Sequence, residues 1–170
     1  MNVQGTVLRW VLILARGTEA VAAVLLIAVI AMNLAQVFFR YVLVDPISWS
    51  EETMRYTTTW MVMLAAAPAL LRREHMEVSL FDGVRSERLR QAVGLLVHIC
   101  VAGFCVLLIV KGFPAAIDNM RQVSPAVRIP MTVPYMAIPV GAVLVLINTL
   151  CMMVLPAETL AQLEDGEGAP

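Results

Sequence analysis

Between residues 40 and 55 the chain reads Arg40-Tyr41-Val42-Leu43-Val44-Asp45-Pro46-Ile47-Ser48-Trp49-Ser50-Glu51-Glu52-Thr53-Met54-Arg55. Two arginines and three carboxylates surround a tryptophan, with long apolar runs on either side. Neighbouring carboxylates such as Glu51 and Glu52 are residue types used for general acid–base work. No nucleophile, metal-ligand cluster or phosphate loop accompanies them, so the segment is read as non-catalytic. Its spacing fits a structural role. Ser48-Trp49-Ser50-Glu51 is a capping box, in which Ser48 caps a helix and Glu51 reaches the free N–H groups at its positive end. Glu52 and Arg55 stand at i, i+3, and Glu51 and Arg55 at i, i+4, so one arginine can neutralise either acid. A charge at the centre of a membrane helix costs about 2.5–3.5 kcal/mol, and less toward an end. Charges this near apolar runs need partners. The expectation is an ion network of Arg40, Glu52 and Arg55 at a membrane boundary, the depth that Trp49 also prefers.

Other polar residues fall inside the apolar runs. Asn33, Gln36 and Arg40, at i, i+3 and i+7, form one stripe on a helix. Two readings stand: hydrogen bonds to another helix of this chain, or contact with a partner subunit. Gly94, His98, Ala102 and Cys105 share a small, weakly polar face, and His75 lies beyond the second apolar run. A hydrogen-bonded histidine within the bundle is the plain reading of His98. Paired haem ligation by His98 and His75 is the sharp one, and it requires matching depth on facing helices. Thr57-Thr58-Thr59-Trp60 and Ala65-Ala66-Ala67-Pro68 read as a packing face, with hydroxyls and small residues that let helices approach. Cys100, Cys105 and Cys151 lack metal-ligand spacing and read as small buried hydrophobes.

The elements that carry these residues follow from composition. The chain has 170 residues, is 60% hydrophobic and has a mean hydropathy of +0.81, far above the roughly 45–50% apolar content of soluble domains. A net charge of -1 leaves no footprint for nucleic acid. Four runs, at about 18–39, 50–71, 91–110 and 133–155, are long enough to cross the ~30 Å hydrocarbon core. The expected fold class is an all-α integral membrane protein with four transmembrane helices. Residues 1–16, with Arg9, Trp10 and Arg16, read either as a short interfacial amphipathic helix or as a frayed end. The first run exceeds the apolar region of a secretory signal and three more follow, so it reads as a retained span. Residues 156–170 read as an acidic, disordered tail. Arg72, Arg73, Arg85, Arg88 and Arg90 crowd the connection after the second run, which favours that connection and both termini on the cytoplasmic side.

Three blocks together resemble the small, DctQ-like membrane subunit of tripartite ATP-independent periplasmic (TRAP) transporters. The first is Phe39-Arg40-Tyr41 with Trp49-Ser50-Glu51-Glu52 and Arg55. The second is Leu71-Arg72-Arg73-Glu74-His75-Met76-Glu77-Val78. The third is Ser124-Pro125-Ala126, Ile129-Pro130, Pro134-Tyr135 and Ala137-Ile138-Pro139-Val140-Gly141. Order, spacing and layout match from about residue 17 to residue 155. The chain departs at Ser79, where the family often has Asp, and at Glu77, where it often has a basic residue or Gly. The resemblance implies a non-enzymatic scaffold without a cofactor in a bacterial inner membrane. Its implied partners are a large permease subunit, a periplasmic binding protein that delivers an organic acid, and the lipid bilayer. The residues expected to meet a partner are Asn33, Gln36, Arg40, Trp49, Glu51, Glu52, Arg55, Trp60 and His75.

Overall fold

The computed structural model describes residues 3–45, 47–71 and 87–154. All regular structure among them is helical: α1 (Val3–Tyr41), α2 (Ser50–Leu71), α3 (Glu87–Asp118), a 3-10 turn (Asn119–Arg121) and α4 (Thr132–Val154). Within these helices Arg9–Tyr41, Ala92–Arg121 and Thr132–Met153 are long and apolar enough to cross a membrane. α2 has 22 residues, about 33 Å, but its first two turns carry Glu51, Glu52 and Arg55.

Two boundaries differ from the sequence reading. The N-terminal segment does not stand apart: α1 is one helix of 39 residues, about 58 Å. No proline interrupts it, and Gly17 at the junction costs a helix only about 1 kcal/mol. α3 continues past residue 110 to Asp118, because Lys111 ends the apolar run without ending the helical bonding.

The helices form a row in the order α1, α2, α4, α3. α2 packs on α1 and α4, α3 packs on α4, and the edge helices α1 and α3 do not pack together. What the row buries is small. Ala67, Cys105, Ala116, Ala137 and Ala142 are buried, while Leu96, Phe104, Leu107, Ile30 and Leu34 point outward. Large apolar side chains outside and small ones inside is the arrangement that lipid favours, since lipid gives no hydrophobic reason to hide a leucine and small residues let backbones meet. Gly141 shows the close approach: a Cβ there would lie 2.7 Å from Met63 Cβ and 2.9 Å from its carbonyl oxygen. On the other side of α4, Gly112 faces Pro139, where a Cβ would stand at 3.2 Å. Of the small faces, Ala67 with Pro68 and Cys105 are buried, while Gly94, His98 and Ala102 are half-buried and a Cβ at Gly94 would meet nothing within 4 Å.

Candidate functional site

The first turn of α2 lies ahead of the apolar stretch that begins at Tyr56. The helix starts one residue later than the capping box places it. The Trp49 carbonyl accepts the Thr53 N–H at 3.1 Å, and Ser50 Oγ donates to the Ile47 carbonyl at 2.7 Å. In this frame Glu52 occupies the third helical position and turns inward, while Glu51 is exposed. Glu52 is only 8% exposed.

Its carboxylate is surrounded by donors. Oε1 accepts the Tyr56 hydroxyl at 2.6 Å, and Oε2 accepts the backbone N–H groups of Ala126 at 2.9 Å and Val127 at 3.1 Å. The Ser124 hydroxyl, then Tyr56, then the two backbone N–H groups hold its pKa down to about 2 against the opposing effect of burial. The ion network expected with Arg40 and Arg55 does not form. Both arginines are exposed, and the carboxylate is turned toward the α3–α4 connection, where neutral donors already occupy it.

That connection is a tight hairpin-like turn. Ser124 N–H donates to the Ile129 carbonyl at 2.9 Å, Arg128 N–H to the Ser124 carbonyl at 3.1 Å, and Met131 N–H to the Gln122 carbonyl at 2.9 Å. Val127 N–H is shared with Ser124 Oγ at 3.3 Å. Arg128 has a φ of 59°, a left-handed conformation that disfavours side chains with a Cβ. Glu52 bridges 74 residues of sequence to hold this turn. A second tie lies just below: Trp60 Nε1 donates to the Val133 carbonyl at 3.1 Å.

At the far end of the row Asn148 Nδ2 donates to the Ala67 carbonyl at 2.8 Å, joining α4 to α2 next to Pro68. Asn148 is 2% exposed, and its Oδ1 has no hydrogen-bond partner among the described residues. His98 Nδ1 bonds the Gly94 carbonyl of its own helix at 2.6 Å, in line with a hydrogen-bonded histidine. No group of three or more metal-binding side chains gathers among the described residues. An apolar groove of about 460 Å³ runs between α1, α2 and the turn, lined by Val21, Leu25, Tyr56, Trp60, Val127 and Val133. The polar atoms of Tyr56 and Trp60 are already bonded within the chain. The groove therefore offers little to hold a polar solute, which needs a few convergent polar groups.

The expected partner residues divide accordingly. Glu52 and Trp60 serve contacts within the chain. Asn33, Arg40, Glu51 and Arg55 are exposed, Trp49 is 47% exposed, and Gln36 is half-buried. His75, with the nearby departures Glu77 and Ser79, lies outside the described residues. Sequence reasoning missed Tyr56, Ser124 and Asn148. A lone Asn in the apolar run 133–155 was a readable signal for the last.

Apolar helices packed through small residues, and a buried carboxylate spent on holding a turn, define a transmembrane helical protein whose described polar centre is structural. The chain belongs to the family described as tripartite ATP-independent periplasmic transporters, DctQ component, whose pattern matches residues 29–159. It is 30% identical over 101 residues to the sialic acid TRAP transporter small permease protein SiaQ of Vibrio cholerae, covering 59% of this chain and 58% of that one. It is 29% identical over 83 residues to the C4-dicarboxylate TRAP transporter small permease protein DctQ of the same organism, covering 49% and 36%. Against the sialic acid TRAP transporter permease protein SiaT of Haemophilus influenzae it is 29% identical over 87 residues, covering 49% and 14%. The chain thus spans less than two thirds of the curated relatives it matches.

Proposed function

We propose that the chain is the non-catalytic small permease subunit of a TRAP-type secondary transporter. In this reading it scaffolds a large permease subunit for ion-coupled uptake of an organic acid delivered by a periplasmic binding protein. The observation that carries the reading is the open row of helices: both edge helices keep most of their apolar surface bare. Such a row widens a membrane-fixed body, whereas a carrier needs unwound half-helices and an ion cage at the midplane. The relatives are named for sialic acid and C4-dicarboxylates, both organic acids, which supports that substrate class.

Four spans follow in this reading, with α2 crossing despite its charged first turn because Glu52 is saturated with donors. The termini and the connection between α2 and α3 are cytoplasmic, and the protein resides in a bacterial inner membrane. The residues proposed to meet partners are the exposed Asn33, Arg40, Trp49, Glu51 and Arg55, with Gln36 at the margin. Co-expression with the large permease tests the function. The two chains are expected to co-purify 1:1 in mild detergent, and the isolated subunit to be less stable than the pair. A well-folded subunit whose stability is indifferent to the permease refutes it.

A further inference from the structure

We infer that one face of α1, formed by Leu26, Ile30, Asn33, Val37 and Arg40, receives a helix of the large permease subunit, while the bare face of α3 meets lipid. This rests on the function proposed above and adds which edge of the row is the interface. The two edges differ in chemistry. α1 buries Val11, Ala15 and Ala22 against its neighbour and half-buries Leu25, Val29 and Gln36. These positions keep the alternating three- and four-residue step of a helix seam.

Residues 26, 30, 33, 37 and 40 repeat the same step on a second face, and all five are exposed. Other exposed lines on α1, such as Ile27, Ala31, Leu34 and Phe38, repeat the step as well, so the choice of face rests on its polar residues. Asn33 supplies the stronger argument. It is the amide side chain left exposed within the apolar stretches of the described residues, and no hydrogen bond among them satisfies it. Hydrocarbon offers an amide nothing, so the group that satisfies it comes from another chain. Arg40 stands seven residues on, about 10.5 Å along the same line. A partner helix that fits carries a donor or acceptor opposite Asn33, and carbonyls or a carboxylate opposite Arg40. Among the described residues, the outward face of α3 carries Leu96, Ile99, Leu107 and Val110; its exposed polar side chains are the thiol of Cys100 and Lys111 at the end of the apolar run, and no amide stands within that run.

Photocrosslinking with the full chain and the co-expressed permease tests this. A benzophenone side chain is placed at Ile30 or Val37 on α1, and at Leu96 or Leu107 on α3. Adducts with the permease are expected several-fold more strongly from α1 than from α3. Asn33→Leu is expected to lower the yield of the complex several-fold while leaving the isolated subunit as stable as before or more so, and Asn33→Gln to retain most of the yield. An intact complex crosslinked only through α3 overturns the inference and leaves the proposed function standing. So do adducts from α1 to a second copy of this chain alone, or an Asn33→Leu complex of undiminished yield. Failure of the wild-type pair to co-purify sinks both.

Discussion

The Glu52 carboxylate accepts the backbone N–H of Ala126 at 2.9 Å, and with Val127 beside it this contact fastens the start of α2 to the turn between α3 and α4. Removing it leaves the Ala126 N–H without its acceptor, and leaves the Val127 N–H and the Tyr56 hydroxyl only their longer contacts to Ser124 Oγ at 3.3 Å and Met131 Sδ at 3.4 Å. Glu52→Ala is therefore expected to lower the melting temperature and to open residues 122–131 to protease. Tyr56→Phe removes one donor of several and is expected to cost about 1 kcal/mol, the net worth of an ordinary hydrogen bond. Arg55→Ala is expected to leave both readouts at wild-type values, because Arg55 is exposed and outside this set. Equal losses from Glu52→Ala and Arg55→Ala would restore the ion network in place of the donor set.

The same site sets a pH dependence with a definite sign. The pKa of Glu52 is depressed from 4.5 to about 2 in the folded chain. The unfolded chain then binds the proton first as pH falls, so the contribution of Glu52 is fully present above pH 4.5 and is lost as pH drops toward 2. Melting of the wild type and of Glu52→Gln, compared from pH 7 downward, isolates it. The advantage of the wild type is expected to hold down to about pH 4.5 and to shrink below. A constant difference across the range would mean that the charge at this position is not what binds the turn.

At Gly141 the backbones of α2 and α4 come close enough that a Cβ has no room. Gly141→Ala is expected to destabilise the subunit by about 1–3 kcal/mol, the usual range for overpacking. Met63→Ala is not expected to rescue it, because the obstructing atoms are the Met63 Cβ and backbone carbonyl, which alanine keeps. Thermal unfolding of the single and double variants decides, and full rescue would show that the outer part of the methionine side chain sets the spacing.

Asn148 ties α4 to the Ala67 carbonyl but leaves Oδ1 unpaired. Hydrogen bonds between membrane helices average about 0.6 kcal/mol in measured cycles. Asn148→Ala is expected to cost about that much, through this bond and a small cavity. Asn148→Asp is expected to cost several-fold more, because it buries a carboxylate where no cation pairs with it among the described residues. Unfolding measurements that rank the two variants in the opposite order would place water or a cation at this position.

The helical content, the packing roles of Ala67 and Cys105 and the importance of the 48–55 segment were all legible, because apolar runs and small-residue spacing act locally. The partner of Glu52 was not. Arg55 sits one helical turn away in sequence and looked like the natural counter-charge, whereas the donors come from backbone N–H groups 74 and 75 residues on. Backbone donors have no sequence signature, and they satisfy a carboxylate as well as a counter-charge does. The length of α1 was missed for a different reason. Hydropathy marks where apolar character ends at Arg16 and Gly17, and the helix ignores that boundary because nothing there breaks its bonding.

Orientation in the membrane gives the last prediction. The Glu52–Ala126 contact places the α1–α2 and α3–α4 connections at the same end of the row, so they share one side of the bilayer in the proposed four-span reading. That side holds Arg40, Arg55, Lys111, Arg121 and Arg128. The other holds Arg9, Arg16, Arg72, Arg73, Arg85, Arg88 and Arg90. Lys and Arg near span ends are retained in the cytoplasm, while Asp and Glu hardly count, so the more basic side is placed inside. The margin is concentrated in the connection after α2, which alone carries five arginines, counting the start of α3. Gln122 is exposed on the outer turn and suits labelling, whereas Ser124 is buried. With Cys100, Cys105 and Cys151 replaced, Gln122→Cys in intact cells is expected to react with an impermeant maleimide, and Ser86→Cys only after the membrane is opened. Labelling of Ser86→Cys from outside would invert the topology, and labelling of both from outside would mean that α3, which lies between the two probes, does not cross, nor α2, whose start is held at the outer turn.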